Sequence, residues 1–265
     1  MSERFGAAVD TAVWQFRICR YHSSTMATEH APARSSGLGL PWLAAVAVCI
    51  LGFAYLPQMV VGAPIERTMG PVQKIFYYHV PCAWLLMMST FVCAGGSIAF
   101  LFKGSQRGDR VARTSAELAV LFGICTLVTG PLWGRVAWGA YWVWDARLTS
   151  SLLLWLIMVA YVMARRFGGS ASRKLAASLA IFAAADVPLV YLSVHIWKTI
   201  HPKTTVVPTL GRDMMGVFFT SLGLFTLLWV VLFVLRGHLE KARDDLDTLA
   251  LDVEDHLEAW EKSAR

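Results

Sequence analysis

The chain has 265 residues, of which 56% are hydrophobic and only 16% are charged. Soluble domains carry about 25% charged residues, so the composition excludes an ordinary soluble domain and predicts an all-α integral membrane protein. The formal net charge of +6 is expected to reflect orientation in the membrane. It does not indicate a nucleic-acid partner.

Residues 1–39 are polar and mixed in charge, without the apolar stretch of a cleaved signal peptide. We expect them to form a cytoplasmic segment, in which Met26 is an alternative start site. His22 and His30 lie in this segment and are expected to be solvated.

Six apolar runs follow, each close to the ~20 residues that a membrane-spanning helix needs. We place them, within a membrane domain at 40–235, at about 40–62, 77–102, 115–133, 148–164, 175–196 and 214–235. The N-terminal segment, the second and fourth loops and the C-terminal tail hold 17 Lys and Arg residues, against 7 in the other three loops. The positive-inside rule therefore predicts cytoplasmic termini and an outer position for the third loop.

That third loop, at about 133–151, is rich in aromatic residues: Trp133, Trp138, Tyr141, Trp142 and Trp144. As a helix, Trp138, Tyr141 and Trp142 would share a face; as extended chain, Trp142 and Trp144 would point the same way. Either conformation predicts a broad, flat surface with indole N–H donors, suited to a large planar ligand. An aromatic belt at the membrane interface is the open alternative.

Two histidines are expected on the same side of the membrane as this loop. His79 precedes Pro81, which we place in the first turn of the second span, with Val80 outside the α region. His201 follows the fifth span. A single histidine at the interface is more often a hydrogen-bonding residue than a ligand, but two neutral imidazoles at matched depth beside an aromatic surface are suited to axial ligation of haem iron. His195, six residues before His201, is the second choice.

The third loop is also where the chain resembles a known family. Its residues 138–149, Trp-Gly-Ala-Tyr-Trp-Val-Trp-Asp-Ala-Arg-Leu-Thr, are similar to the tryptophan-rich WWD signature of haem-handling membrane proteins, although Tyr141 stands where Trp is more usual. His-Val-Pro at 79–81 and Trp-Lys-Thr-Ile-His at 197–201 resemble the flanking-histidine segments of the haem exporter C (CcmC) family. Chain length and six spans favour that family over the CcmF and CcsA branches.

The resemblance implies non-covalent haem b on the periplasmic face of a bacterial inner membrane, with His79 and His201 as axial ligands. Haem contacts are expected from Trp133, Trp138, Tyr141, Trp142, Trp144, Asp145 and Arg147. The haem would be delivered to the chaperone CcmE, with CcmA, CcmB and CcmD as further partners beside membrane lipid. Covalent attachment to this chain is not expected, because its five cysteines form no CxxCH motif.

Two other functions stay open: a transporter that passes haem or another substrate through its own bundle, and a direct cytochrome c synthase resembling CcsA. The chain has no ATPase or hydrolase motif, and whether it is an enzyme is left open.

Several charged residues have more than one expected role. Haem propionates need cations, and the outer candidates are Arg135, Arg147, Lys198, Lys203 and Arg212. Asp145 is a candidate N-cap of the fourth span as well as a motif residue. Asp186, in mid-membrane, is expected to hydrogen-bond a neighbouring helix or a carbonyl freed by Pro188.

The tail, residues 236–265, is acidic, and its apolar residues recur at spacings of three and four. This pattern predicts an amphipathic cytoplasmic helix, either solvated or packed on a partner subunit.

Overall fold

The computed structural model describes residues 39–67, 69–169, 171–202, 207 and 210–264. Residues 1–38, and with them Met26, His22 and His30, lie outside this part, as does Lys203. The chain divides into two units, Met1–Leu43 and Ala44–Arg265. The packing described below concerns the second unit.

The described ranges contain helices and no strand. The elements are α1 Leu40–Gly62, a 3₁₀ turn Pro71–Ile75, α2 Phe76–Lys103, α3 Gln106–Trp138, α4 Ala146–Phe167, α5 Ser172–Ile196 and α6 Arg212–Ala264. All six α-helices are long and apolar enough to cross a membrane. The all-α, six-span prediction is therefore confirmed.

Two helices extend well beyond their apolar runs. The start of α3 is at Gln106, not near 115, because the Ser105 hydroxyl caps it by accepting a hydrogen bond from the Gly108 amide at 3.1 Å. Its end is at Trp138, before Gly139 at φ 79°. The sixth helix continues without a break into the tail, so the predicted amphipathic segment is the end of α6. Hydropathy detects only the membrane portion of such helices.

The prediction for Pro81 is wrong. Pro81 lies inside α2, which begins at Phe76, so Val80 is helical and His79 lies one turn inside the helix. Proline cannot donate to the carbonyl four residues earlier, that of Tyr77. The Ser221 hydroxyl of α6 donates to this carbonyl instead, so α2 tolerates the proline because a neighbouring helix supplies the missing donor.

Four helices form the centre of the second unit. The pairs α2–α3, α3–α4, α4–α5 and α5–α2 are in contact, and α6 packs on α2 and α3. Phe53 of α1 meets Phe225 of α6 with ring centroids 5.0 Å apart. At the aromatic end, where α3 ends and α4 begins, these helices surround a cavity.

The opposite end, which we call the basic end, is held by ion pairs. The carboxylate of Asp109 in α3 lies 2.9 Å from Arg165 of α4 and 3.1 Å from Arg173 of α5. Arg113 of α3 pairs with Glu240 of α6 at 2.6 Å. These contacts join four helices through side chains that are largely withdrawn from solvent.

Candidate functional site

The cavity at the aromatic end has a volume of about 600 Å³, within the usual range for small-molecule sites. Its wall is built from α2, α3, α4, α5, the start of α6, the 3₁₀ turn with the segment before it, the loop between α3 and α4, and the segment after α5. Most of the wall is aliphatic or aromatic. His79, His201 and Arg147 all line it, so the fold brings together residues that lie far apart in the sequence.

The hydrogen bonds of His79 determine its tautomer. Its Nδ1 lies 2.9 Å from the Thr129 hydroxyl oxygen, and that hydroxyl donates to the Cys125 carbonyl at 2.7 Å. Since the Thr129 proton is already used, the hydroxyl accepts from His79 Nδ1–H. The lone pair of the neutral imidazole is therefore on Nε2, which is the atom left for a metal.

His201 has the same tautomer for a different reason. Its Nδ1 lies 2.8 Å from the Pro202 carbonyl oxygen, which can only accept, so Nδ1 carries the proton and Nε2 carries the lone pair. Burial and the nearby positive charge of Arg147 lower the pKa of His201 to about 4. The imidazole is consequently neutral at physiological pH, which is the form that binds iron.

Asp145 holds the segment that carries His201. Its Oδ1 accepts from the Leu148 amide at 2.8 Å as the N-cap of α4, and its Oδ2 accepts from the Ile200 amide at 3.2 Å. The expected capping role is thus observed. Both carboxylate oxygens are bonded to backbone N–H groups, and Asp145 acts on the cavity by positioning its neighbours.

The aromatic residues separate into two groups. Trp133, Trp138 and Trp142 line the cavity, whereas Tyr141 and Trp144 face outward with 58% and 75% exposure. The ring pairs Trp133–Trp138 and Trp142–Trp144 meet edge to face, at interplanar angles of 85° and 76°. The prediction of one broad flat surface is wrong, because Trp133 and Trp138 belong to α3 and the other three rings follow its end.

Arg147 is the one candidate cation on the cavity wall among the described residues. It donates to the Val190 carbonyl of α5. Arg135 donates to the Gly139 carbonyl at 2.5 Å and lies over the Tyr141 ring. Lys198 and Arg212 are exposed. His195 is also exposed and lies off the cavity wall.

Sequence reasoning missed Gln73 and the backing role of Thr129. Gln73, in the 3₁₀ turn, lines the cavity with 5% exposure, and its amide makes no well-formed hydrogen bond among the described residues, although the Tyr77 hydroxyl interacts with it. The Trp142 indole N–H also lines the cavity and has no hydrogen-bond partner among the described residues. Gln73, in a loop of mixed composition, and Thr129, in an apolar run, do not stand out in the sequence.

Asp186 lies off the cavity, buried in α5. Its Oδ2 has no hydrogen-bond partner within the described part of the chain. The hydrogen bond that the sequence led us to expect is therefore not made by this oxygen.

Comparison with known proteins places these observations in a family context. A family model described as heme exporter protein C matches residues 22–252. The heme exporter protein C of Bradyrhizobium diazoefficiens is 34% identical over 209 residues, covering 78% of each chain. A putative cytochrome c biosynthesis ccmC-like mitochondrial protein of Arabidopsis thaliana is 32% identical over 67% of this chain and 69% of its own length. The heme exporter protein C of Escherichia coli K12 is 31% identical, with coverages of 64% and 69%.

Proposed function

The chain belongs to the haem exporter protein C family, and from this premise we propose that it binds haem b non-covalently and hands it on during the maturation of c-type cytochromes. It does so as a multi-pass protein of the bacterial inner membrane.

One observation carries this proposal: His79 and His201 line the same cavity, and each has its Nδ1 proton fixed by a hydrogen bond. An acceptor bonded to the second ring nitrogen orients a ligating imidazole and raises its basicity. His79 and His201 would therefore be the protein ligands of the iron of a bound haem.

The donor set fits iron within a porphyrin better than a bare ion. No group of three or more His, Cys, Asp or Glu residues able to hold a metal ion occurs among the described residues. Two imidazoles alone leave a bare ion short of ligands, whereas a porphyrin brings four nitrogens of its own. The predominantly apolar wall suits the macrocycle.

Polar atoms on the same wall are suited to the haem carboxylates. Arg147 supplies a positive charge, and the Trp142 indole N–H is a buried donor without a hydrogen-bond partner among the described residues. The buried Gln73 amide, which interacts with the Tyr77 hydroxyl, is a further donor on this wall. Burying such donors is unfavourable unless a ligand completes their hydrogen bonds.

We assign the aromatic end to the periplasmic side, with both termini in the cytoplasm. Lys and Arg are concentrated at the other end of the spans. The exposed rings of Tyr141 and Trp144 would then flank the cavity on the side where the haem chaperone CcmE collects its cargo. CcmA, CcmB and CcmD would be further partners, and any ATP hydrolysis would belong to a partner subunit, since this chain has no nucleotide-binding motif.

Handover on one side is favoured over passage through the bundle. Leu86 and Leu154, on the cavity wall, belong to a cluster of closely packed, buried residues that continues between α2, α3, α4 and α5. A rigid macrocycle could pass through this cluster only if those helices separated, so release on one side of the membrane is favoured.

The visible absorption spectrum of the purified protein tests the assignment. We expect a low-spin bis-histidine spectrum that is lost in His79→Ala and in His201→Ala. His195→Ala is the matched control and should keep it. Haem binding that survives both of the first two substitutions would reject the ligand pair, and a protein that never binds haem would reject the function.

A further inference from the structure

Two large side chains of the cavity wall are half-exposed. Trp84 of α2 and Tyr191 of α5 both line the cavity, yet they are 50% and 48% exposed. Among the described residues, they are the large apolar side chains of the wall with this much accessible surface, and we call this part of the wall the thin wall. The helices that carry them, α2 and α5, are in contact.

This thin wall lies at membrane depth. Trp84 comes five residues after His79 on α2, a distance of about 7.5 Å along the helix axis. Tyr191 comes five residues before Ile196, where α5 ends, again about 7.5 Å. Phe91, seven residues after Trp84 on the same face, is 51% exposed, and Leu192, next to Tyr191, is 44% exposed. Exposed apolar residues on membrane-spanning helices contact lipid.

We propose that the planar, amphiphilic macrocycle enters and leaves the cavity sideways, from the lipid, between Trp84 and Tyr191. This inference rests on the proposed function, which it extends by naming the route. Both residues are aromatic, so each can turn about its side-chain bonds without disturbing the helix backbone, and each offers a ring face to the passing macrocycle.

Haem could reach the cavity from the lipid or through the water outside the membrane, and its chemistry favours the route from the lipid. A porphyrin dissolves in the hydrocarbon layer through its ring and keeps its carboxylates at the interface. Moving it edge-first between α2 and α5 would bring the ring into the apolar part of the cavity and the carboxylates toward Arg147, which lies at the start of α4. At no point would the ring have to cross water.

A bulky label on the thin wall tests the route. Trp84→Cys and Phe91→Cys are each made in a Cys19→Ser protein and reacted with a bulky maleimide in lipid nanodiscs, with mass spectrometry confirming a single label. Three of the remaining native cysteines, Cys49, Cys82 and Cys93, are buried. Haem dissolved in vesicles is then added, and growth of the bis-histidine absorption is followed by stopped flow.

We expect the label at position 84 to slow haem uptake about tenfold or more, equivalent to about 1.4 kcal/mol in the barrier, and to slow haem release from protein loaded beforehand by a similar factor. The label at position 91 should have no effect. Tyr191→Cys with its neighbour Leu192→Cys repeats the comparison on α5.

The lateral route would be overturned if proteins labelled at 84 and at 91 took up haem at the same rate, and proteins labelled at 191 and at 192 did so too. A label at 84 that displaces haem from protein loaded beforehand would also overturn it, because residue 84 would then lie in the binding site itself. If the unlabelled proteins never develop the bis-histidine spectrum, the proposed function fails and the route fails with it.

Discussion

The two ends of the bundle treat charged side chains differently. At the basic end, the carboxylates of Asp109, Glu117, Glu240 and Asp244 all have an arginine within 4 Å, although guanidinium nitrogens of Arg113, Arg165 and Arg173 have no hydrogen-bond partner among the described residues. At the aromatic end, Arg147 donates to a backbone carbonyl but forms no ion pair within the described part of the chain, and the Trp142 indole N–H has no hydrogen-bond partner there. Opposite charges are paired at one end, whereas the other end keeps an arginine without an ion pair and an indole donor for a ligand.

The basic end therefore contributes mainly to stability, and the aromatic end contributes mainly to ligand binding. Ion pairs between α3, α4, α5 and α6 fix the helices relative to one another at the basic end, so the cavity at the other end can keep an unfavourable wall without the bundle opening.

Removing the central carboxylate of the basic end should have the largest effect. Asp109→Asn leaves Arg113, Arg165 and Arg173 close together with one fewer negative charge. Because Asp109 is 4% exposed, we expect a loss of about 3–5 kcal/mol in the free energy of unfolding, measured by denaturant titration in detergent. Glu258→Gln, in an exposed pair with Lys262, is the control and should cost less than about 0.5 kcal/mol. A loss for Asp109→Asn as small as the control's would contradict a stabilising network.

The pH dependence of the ligand-free protein should report on His201. Its pKa of about 4 lies below the ~6.5 of an exposed histidine, so between these values the unfolded chain binds a proton that the folded chain does not. Stability from this group is therefore complete above pH 6.5 and declines as the pH falls toward 4. Between pH 6.5 and 5 we expect wild type to lose about 1–2 kcal/mol more than His201→Gln. His256→Gln, on the exposed end of α6, should behave as wild type; identical slopes for all three would refute the prediction.

Two tryptophans allow a direct contrast between unpartnered and partnered indoles. Trp155 donates to the Val120 carbonyl at 3.1 Å, whereas Trp142 has no partner in the described residues. Trp155→Phe should lower stability by about 1 kcal/mol and leave haem binding intact. Trp142→Phe should leave stability unchanged or slightly higher and weaken haem binding. If Trp142→Phe lowered stability and left haem binding intact, the Trp142 indole would stabilise the fold and would not bind the ligand.

The smallest effect is expected at Gly130, beside the His79 ring. A Cβ at this position would lie 3.1 Å from His79 Cε1, so Gly130→Ala should tilt the ring and weaken haem binding about threefold, or less than about 1 kcal/mol. Gly95→Ala, where a Cβ meets nothing within 4 Å, is the control and should gain about 0.5–1 kcal/mol of stability. Equal haem affinities in Gly130→Ala and Gly95→Ala would show that contact with residue 130 does not determine the orientation of the His79 imidazole.

Patterns that act along one helix were readable from the sequence. Six apolar runs predicted six spans because hydrophobic length is a local property. Asp145 was a candidate cap because capping depends on residues three positions apart. The boundaries of α3 and α6 were not readable, since both helices continue as polar helix outside the membrane.

Features that depend on a second helix were not readable. Pro81 stays inside α2 because Ser221, 140 residues away in the sequence, donates to the Tyr77 carbonyl. The absence of a hydrogen-bond partner for the Trp142 indole among the described residues and the half-exposure of Trp84 likewise depend on which helices pack nearby. Local propensity carries no information about such partners.

By itself, therefore, the sequence determined a six-span membrane protein with an aromatic loop and two histidines as candidate haem ligands. Only the tertiary structure decided that those histidines line one cavity, that both keep Nε2 free, and that three of the five aromatic rings face inward. The physical reason is that hydrophobicity and capping act between neighbours in sequence, whereas a cavity is defined by side chains from several helices meeting around a common space.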